Sequence, residues 1–368
     1  MRTSPSLGRP PEKQRHVVRA LRRRIVDGAL SPGARLPSHS QLVRQFGVSS
    51  MTVQSSVRQL VRDGFLTTQR GKGMFVSQKL PHVYNHVLIV PTEVELGAHG
   101  SQFWVALQHA AEAIRGDGDY RFNVVAGVDT QAHGDAALRQ LVADVQEHRV
   151  AGLIFGAISP RLFNTPLLDE PGIPRAAITE LELPGIPRVF PELRGFLNRA
   201  LDRLQQQGCR RVAIVALGVF AAFFAHFQTQ CRRRGMASRR HWELSLSLDQ
   251  GESIRHCVHL LLQGPAGERP DGLVIADDNL VPQATAGIKD AGLAPAELAV
   301  IAHCNFPWPT PSAVPVTRLG YSAREILETC INLIEQQRRG EVPPSMTRVT
   351  AEFERQRGGP TLEPGDQR

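Results

Sequence analysis

The residues with the clearest chemistry lie in one stretch, residues 36–76, LPSHSQLVRQFGVSSMTVQSSVRQLVRDGFLTTQRGKGMFV. Ser49, Ser50, Met51, Thr52, Gln54 and Ser55 stand close together there and form an uncharged set of hydroxyl, amide and thioether groups. Such groups meet base edges in a DNA major groove, and an amide like that of Gln54 suits adenine. Ser38 and His39 come just before them, while Arg35, Arg58, Arg70, Gly71 and Lys72 supply cations and close backbone for phosphate oxygens or the minor groove. Bond-making chemistry is not signalled. The sequence holds no G-x-G-x-x-G after a predicted strand, no P-loop, no H-E-x-x-H and no G-x-S-x-G. After Lys79 the single lysine is Lys289, a poor supply for a cofactor Schiff base. His226, His256, His259 and His303 show no ligand spacing supported by a carboxylate and read as ordinary core or surface residues. Cys209, Cys231, Cys257, Cys304 and Cys330 are odd in number, far apart and never in a C-x-x-C pair, so neither disulfides nor a metal site is expected.

The elements that must hold the polar set follow from local pattern. Ser38 caps a short helix with Leu42, Val43 and Phe46 inward, and Gly47 supplies the left-handed turn that stops it. Ser49 or Ser50 restarts the chain. The second helix places Val53, Val57, Leu60 and Val61 on one stripe and leaves Ser50, Met51, Gln54, Ser55 and Arg58 on or near the open face. After Gly64, two extended runs around Arg70-Gly71-Lys72-Gly73 predict a two-stranded ribbon with a basic glycine tip. A leading helix is predicted over residues 17–27. Leu36-Pro37-Ser38, Val48-Ser49, Thr52-Val53, Leu60, Gly64-Phe65-Leu66, Gly71-Lys72-Gly73 and Phe75-Val76, in that order, resemble the GntR family winged helix-turn-helix across residues 14–77. The resemblance implies binding to a double-stranded DNA operator. It has departures: His39-Ser40 stands where the family often has Glu-Arg, and Ser50 and Gln54 stand where it often has arginines. Two guanine-type contacts are thereby exchanged for groups that suit other bases.

Charge divides along the same line. Residues 1–79 hold 15 of the 43 Lys and Arg but only 3 of the 35 Asp and Glu, a net of +12, which leaves −4 for the remainder. A basic head of this kind binds polyanions and loses affinity steeply with salt. The length of 368 residues predicts at least two domains. Residues 1–12 are polar and proline-rich and read as a disordered leader, not an export signal; residues 13–78 form the DNA-binding domain and 79–86 a linker. The most apolar later run, residues 212–227, contains Gly218 and His226 and reads as a buried strand leading into a helix, not a membrane span. A cytoplasmic protein is expected.

From residue 87 a strand–helix rhythm begins and continues to residue 355, with strands near 87–90, 122–125, 152–155, 174–178, 212–215, 273–276, 298–302 and 347–353, an extended segment near 242–246, and helices near 103–115, 131–148, 192–207, 223–234, 253–262, 280–291 and 322–339. Residues 356–368 read as a disordered tail. Such alternation predicts parallel sheets with helical crossovers, and two similar halves predict two lobes. The fold class expected is therefore α/β: an N-terminal winged helix-turn-helix joined to a two-lobed α/β domain. Val150-Ala151-Gly152-Leu153-Ile154, the run from Gly208 to Ala213, the run from Pro270 to Asp278, and Gly292 through Val300-Ile301-Ala302 resemble the effector domain of LacI-type repressors, a periplasmic-binding-protein-like fold. A GntR-type head on such a body is similar to the arabinose repressor group.

The resemblance implies a small-molecule effector between the lobes, held by Asp278, by the aromatic residues Phe103 and Trp104, and by Glu192, Phe223, Asn305 and Trp308. Asp277 or Asp278 can equally cap the following helix, and Phe103 and Trp104 can equally be core. Phe223 replaces a family arginine, Ala302-His303-Cys304-Asn305 replaces Gly-Phe-Asp-Asp, and Phe220, Phe223, Phe224 and Trp308 either line a more apolar pocket or pack as core. The function expected is a DNA-binding transcription regulator, a repressor released by its effector and working as a homodimer without a cofactor, metal or membrane. A body that only dimerises, and an enzyme-like body on a DNA-binding head, are the alternatives.

Overall fold

The computed structural model describes residues 11–91, 101–116, 120–126, 128, 134–156, 158, 162–218, 221–247 and 251–354. The expected disordered tail, most of the leader, the start of the helix placed at Gln131, and Phe220 lie outside the described residues. The chain divides into two compact units, residues 1–89 with 114–175, and residues 90–113 with 176–368.

In the first unit, α1 (Glu12–Val26), α2 (His39–Phe46) and α3 (Ser50–Arg62) precede an antiparallel ribbon of β1 (Leu66–Gln69) and β2 (Gly73–Val76). Val17, Val18, Leu21 and Ile25 of α1 recur at three- and four-residue spacing and close one core with Leu42, Val53, Val57, Leu60, Phe65 and Val76. Helix α1 begins at Glu12, directly after Pro11, so residue 12 belongs to the head and not to a leader. Ser38 and Gln41 complete a capping box on α2, and Gly47 ends it at φ 60°. Arg35 bridges Phe75 and adds a third extended segment to the ribbon.

The segment expected as a linker holds a helical turn, α4 (Pro81–Tyr84), with Leu80 and Pro81 buried, and runs directly into β3 (Asn85–Val90). Then come α5 (Gln102–Gly116), β4 (Arg121–Ala126), α6 (Gly134–Gln146), β5 (Gly152–Phe155) and α7 (Pro166–Asp169). Strand β3 lies between β5, to which it is parallel, and β4.

The second unit continues with β6 (Arg175–Ile178), β7 (Arg188–Pro191), α8 (Leu193–Gln206), β8 (Val212–Leu217), α9 (Ala221–Arg233), β9 (Glu243–Leu246), α10 (Gly251–Leu261), β10 (Gly272–Ile275), α11 (Val281–Asp290), β11 (Ala299–Phe306), β12 (Thr317–Ser322), α12 (Ala323–Arg338), β13 (Met346–Val349) and β14 (Glu352–Phe353). Strands β13, β7 and β6 are neighbours and parallel, and a six-stranded sheet runs β14-β12-β11-β10-β8-β9. Both faces of that sheet's centre are covered, which is why Leu273, Val274 and Ile275 form an uninterrupted buried run. Two strands, β7 and β12, were not expected, and the single closing strand expected over 347–353 is two short ones in different places, β13 beside β7 and β14 antiparallel to β12. At Gly320 of β12 a Cβ would sit 1.8 Å from the Cys304 carbonyl oxygen of β11, so that close approach requires glycine.

Candidate nucleic-acid interface and effector site

The head presents one exposed polar face. Ser49 caps α3: its hydroxyl accepts the Thr52 N–H at 3.2 Å and shares a 2.8 Å hydrogen bond with the Thr52 hydroxyl. With these two hydroxyls occupied, the groups left outward on the first turns are Ser50, Met51 and Gln54, with Ser55 half-buried and Arg58 exposed one turn later. Met51 keeps 72% of its surface exposed, the largest value for any large apolar side chain of the head. His39 Nε2 reaches the Ser50 carbonyl oxygen at 3.1 Å and so ties α2 to the start of α3. Ser38 spends its hydroxyl on the α2 cap, accepting from Gln41 N–H at 3.4 Å. On the ribbon, Arg70, Gly71 and Lys72 form the exposed tip, with Lys72 N–H closing the turn on the Gln69 carbonyl. The Arg35 guanidinium lies over Gly73, its Nε 3.4 Å from where a Cβ would stand, and Gly73 takes φ 112°. The residues expected at a DNA interface are thus gathered on α3, the α2 start and the ribbon.

Sequence pattern missed what Arg22 does. In the run Arg22-Arg23-Arg24 it is one of three consecutive cations on a basic head, but it is 3% exposed and turned inward. Its Nη2 donates to Asp63 Oδ2 at 2.7 Å and lies 3.2 Å from Glu147, and its guanidinium sits 5.3 Å from the centre of the Phe65 ring. Arg149 extends the network: its Nε donates to Asp144 at 2.7 Å, its Nη1 pairs with Glu147, and Asp63 lies 4.0 Å away. Burial pushes the Asp63 carboxyl above its usual value even against the pull of Arg149 and Arg22. Burial also works against the Arg149 charge, but Asp144, Glu147 and Asp63 outweigh it and hold that guanidinium above its usual range. The cluster borders an open cleft of about 980 Å³ also lined by Lys79, Tyr84, Arg115 and Arg121. No local signal reveals this network, because its members are brought together from α1, the end of α3 and the end of α6.

In the second unit the ends of β10 and β11 carry a buried polar cluster. Asp278 and Asn305 are each 2% exposed, and the Asn305 Nδ2 donates to Asp278 Oδ2 at 2.7 Å. His303, two residues before Asn305 on β11, stands 3.6 Å from Asp278 Oδ1, with Phe196 of α8 at 5.4 Å and Tyr321 of β12 at 5.6 Å between ring centres. This corrects the reading of His303 as a histidine without a carboxylate partner. The partner is 25 positions away and becomes adjacent only because β10 and β11 run parallel, side by side. Burial alone would lower the His303 pKa, but the Asp278 contact and the charges of Asp278 and Asp277 together raise it above its ordinary value.

Asp277 does cap the following turn: its Oδ1 accepts the Asn279 backbone N–H at 2.9 Å and the Asn279 Nδ2 at 2.8 Å. Asn279 Oδ1 in turn accepts the Gln102 N–H at the start of α5, 3.0 Å away. Burial first, and the Asp278 charge second among the raising causes, lift the Asp277 carboxyl despite His303 and Asn279.

Of the other expected residues, Trp308 donates its backbone N–H to the Asn305 carbonyl at 3.0 Å, and its ring stacks on His109 of α5 at 5.2 Å. Phe103 and Trp104 form an edge-to-face pair at 4.9 Å just beyond Gln102, both half-buried. Glu192 lies between β7 and α8, its carboxylate folded toward Gly195, where a Cβ would meet it at 2.8 Å. Burial first, and the Glu192 charge second, push the Tyr321 hydroxyl above its usual range. Phe223 pairs with Phe224 at 6.0 Å, and among the described residues no hydrogen bond or ring contact joins it to the Asp278 cluster.

Residues 13–76 match the bacterial regulatory proteins of the gntR family, and residues 201–356 match a periplasmic binding protein-like domain. The "HTH-type transcriptional repressor NagR" of Bacillus subtilis (strain 168) is 39% identical over 62 residues, 17% of this chain and 26% of that protein. That match, like others confined to the head, therefore spans about a quarter of the relative's length. The "Arabinose metabolism transcriptional repressor" of Geobacillus stearothermophilus is 25% identical over 342 residues, covering 85% of this chain and 88% of the other. Among solved structures, a LacI family transcriptional regulator from Lactobacillus casei with bound sucrose superposes with a TM-score of 0.53 at 14% identity, over 73% of this chain and 98% of that one, a likeness of fold.

Proposed function

We propose that this chain, which joins a gntR-family DNA-binding head to a periplasmic-binding-protein-like body, is a transcription repressor that leaves its operator when a small molecule binds the body. The observation that carries the reading is the exposed face of α3 beside a basic glycine-tipped ribbon, on a head of net charge +12. Ser50, Met51, Gln54 and Ser55 read base edges, while Arg35, Arg58, Arg70 and Lys72 meet phosphates or the minor groove. The buried cluster of Asp278, Asn305 and His303, with Trp308 following Asn305 in the chain, is the effector site, and Phe103, Trp104 and Glu192 are its walls, while Phe223 stays outside the contacts of that cluster among the described residues. The repressor named for arabinose metabolism and the sucrose-bound LacI-type regulator support a hydroxylated metabolite as the kind of ligand. The effector acts through its different affinity for two states of the body, and the body holds two copies as a homodimer in the cytoplasm. Among the described residues no helix is long and apolar enough to cross a membrane.

Affinity selection of genomic DNA fragments on the full-length protein tests the first half. A shared motif of two inverted half-sites, lost with Gln54→Ala and Arg58→Ala together, is expected; random fragments recovered by both proteins would refute it. One observation favours a second reading, a body that only dimerises: the Asp278 carboxylate already has Asn305 and His303 against it. A melting temperature that no metabolite raises would favour that reading.

A further inference from the structure

We infer that Glu147 and Arg149 are positioning residues for operator recognition: they pin the head against the body, so that the body and not a free linker sets the direction of α3. The inference rests on the proposed repressor reading and names how its two halves are joined. Residues 1–89 and 114–175 fall in one compact unit, so the head shares it with Glu147 and Arg149. The chain between them has little slack. Ser77 N–H donates to the Phe65 carbonyl at 2.9 Å, and the Gln78 amide lies over Gly33, 2.6 Å from where a Cβ would stand. Leu80 belongs to the head core, with Val83 packed against it. Pro81 lies 3.3 Å from the place of a Gly64 Cβ, and the His82 ring stacks on Phe65 at 6.0 Å. Asn85 already starts β3, where its carbonyl accepts the Ala151 N–H at 2.6 Å and its Nδ2 donates to the Arg149 carbonyl at 3.2 Å. A head that swung on residues 77–85 would have to break this packing first.

The ion pairs across the junction supply direction as well as attachment. Arg22, 3% exposed on α1, has two carboxylates against its Nη2: Asp63 of the head at 2.7 Å and Glu147, the residue after α6, at 3.2 Å. Arg149 answers from the other side, pairing with Glu147 and Asp144 and standing 4.0 Å from Asp63. A head cation therefore meets a body carboxylate while a body cation faces a head carboxylate. Apolar surfaces can slide on one another at small cost, but a buried charge is satisfied in few arrangements, so such pairs fix a register. Turning the head on its seat parts both pairs at once.

Glu147→Arg in the full-length protein tests this, because the side chain is 39% exposed, which leaves room for a longer one, and the new cation faces Arg22 and Arg149. Hydrogen exchange is expected to speed up about ten-fold or more over residues 80–86 and to leave α2 and α3 within about two-fold of the wild type. On operator DNA, affinity for a single half-site is expected to stay within about two-fold of the wild type. Inserting about five base pairs between half-sites is expected to cost the wild type about ten-fold and the variant about three-fold or less, because loosely tethered heads reach either spacing. Glu147→Gln, which removes the charge and keeps the shape, is expected to fall between the two, and it carries the test if the arginine variant does not fold. Unchanged exchange or an unchanged spacing penalty overturns the inference. So does a loss of single half-site affinity, which would place Glu147 in the upkeep of the head's own fold. A wild-type protein that binds half-sites without any spacing penalty overturns it too and leaves the repressor reading standing; one that selects no operator at all removes both.

Discussion

Met51 and His303 illustrate how far single residues can be read. Met51 stands on the first turn of α3, 72% exposed between Ser50 and the half-buried Thr52, so its thioether is largely uncovered by the described residues. An apolar tip entering a major groove finds one apolar partner there, the thymine methyl group. Replacing the contacted thymine by uracil should cost the wild-type protein about 1 kcal/mol, near ten-fold in affinity, and cost Met51→Ala almost nothing, as measured by fluorescence anisotropy on the selected site. The exposed place of Met51 on α3 was legible because the position of a residue on a short capped helix is a local matter: Ser38, Gly47 and Ser49 announce the helix ends within a few residues. His303 was not legible, since Asp278 lies on another strand. Its raised pKa has a stability consequence. The stabilising charged form is fully present below the ordinary imidazole value of about 6.5 and is lost as pH rises through the higher folded value. The wild-type melting temperature should therefore fall, relative to that of His303→Gln, as pH is raised above about 6.5. Parallel profiles from pH 6 to 9 would remove His303 from the ionic cluster.

Among the elements, the helices of the head and the central strands follow directly from periodicity and burial, and those placed wrongly share a cause. Strand β7 (Arg188–Pro191) and strand β12 (Thr317–Ser322) each mix a charge with proline or glycine, and they form because a neighbouring strand offers them hydrogen bonds, not because their own pattern demands it. The segment 79–86 is polar enough to look like a linker, yet Leu80 joins the core of the head and Pro81 opens α4. The ionic network belongs to this scale too, since it joins α1, the end of α3 and the residues after α6. Arg22 is 3% exposed and paired with Asp63 at 2.7 Å, so removing it leaves a buried carboxylate without its closest cation. Arg22→Ala should strip about 3 kcal/mol of protection from the amides of α1 and α3 in hydrogen exchange on the full chain. Arg23→Ala, at an exposed position of the same helix, should change it by less than about 0.5 kcal/mol. Equal effects would mean that the network is surface charge like any other.

At the scale of the molecule, the separation of charge is the property most plainly written in the sequence: +12 on residues 1–79 and −4 on the rest. A net of −4 gives the body no overall attraction for phosphates, so the salt dependence of affinity is expected to reside in the head. A single head making about five phosphate contacts gives a slope of log affinity against log salt near −4.5, and a dimer using both heads doubles it. Geometry then separates one-headed from two-headed binding. If a two-fold body fixes the heads, half-sites lie about 34 Å apart, one helical turn, or a multiple of that. Inserting about five base pairs between the half-sites turns one of them to the opposite face of the duplex and should lower affinity to the one-headed level with the halved slope, whereas inserting about ten should restore much of both. Filter-binding titrations over a range of salt measure the two effects together. A slope that ignores spacing would mean that the heads act independently, and an effector bound to the body would then have no spacing to change.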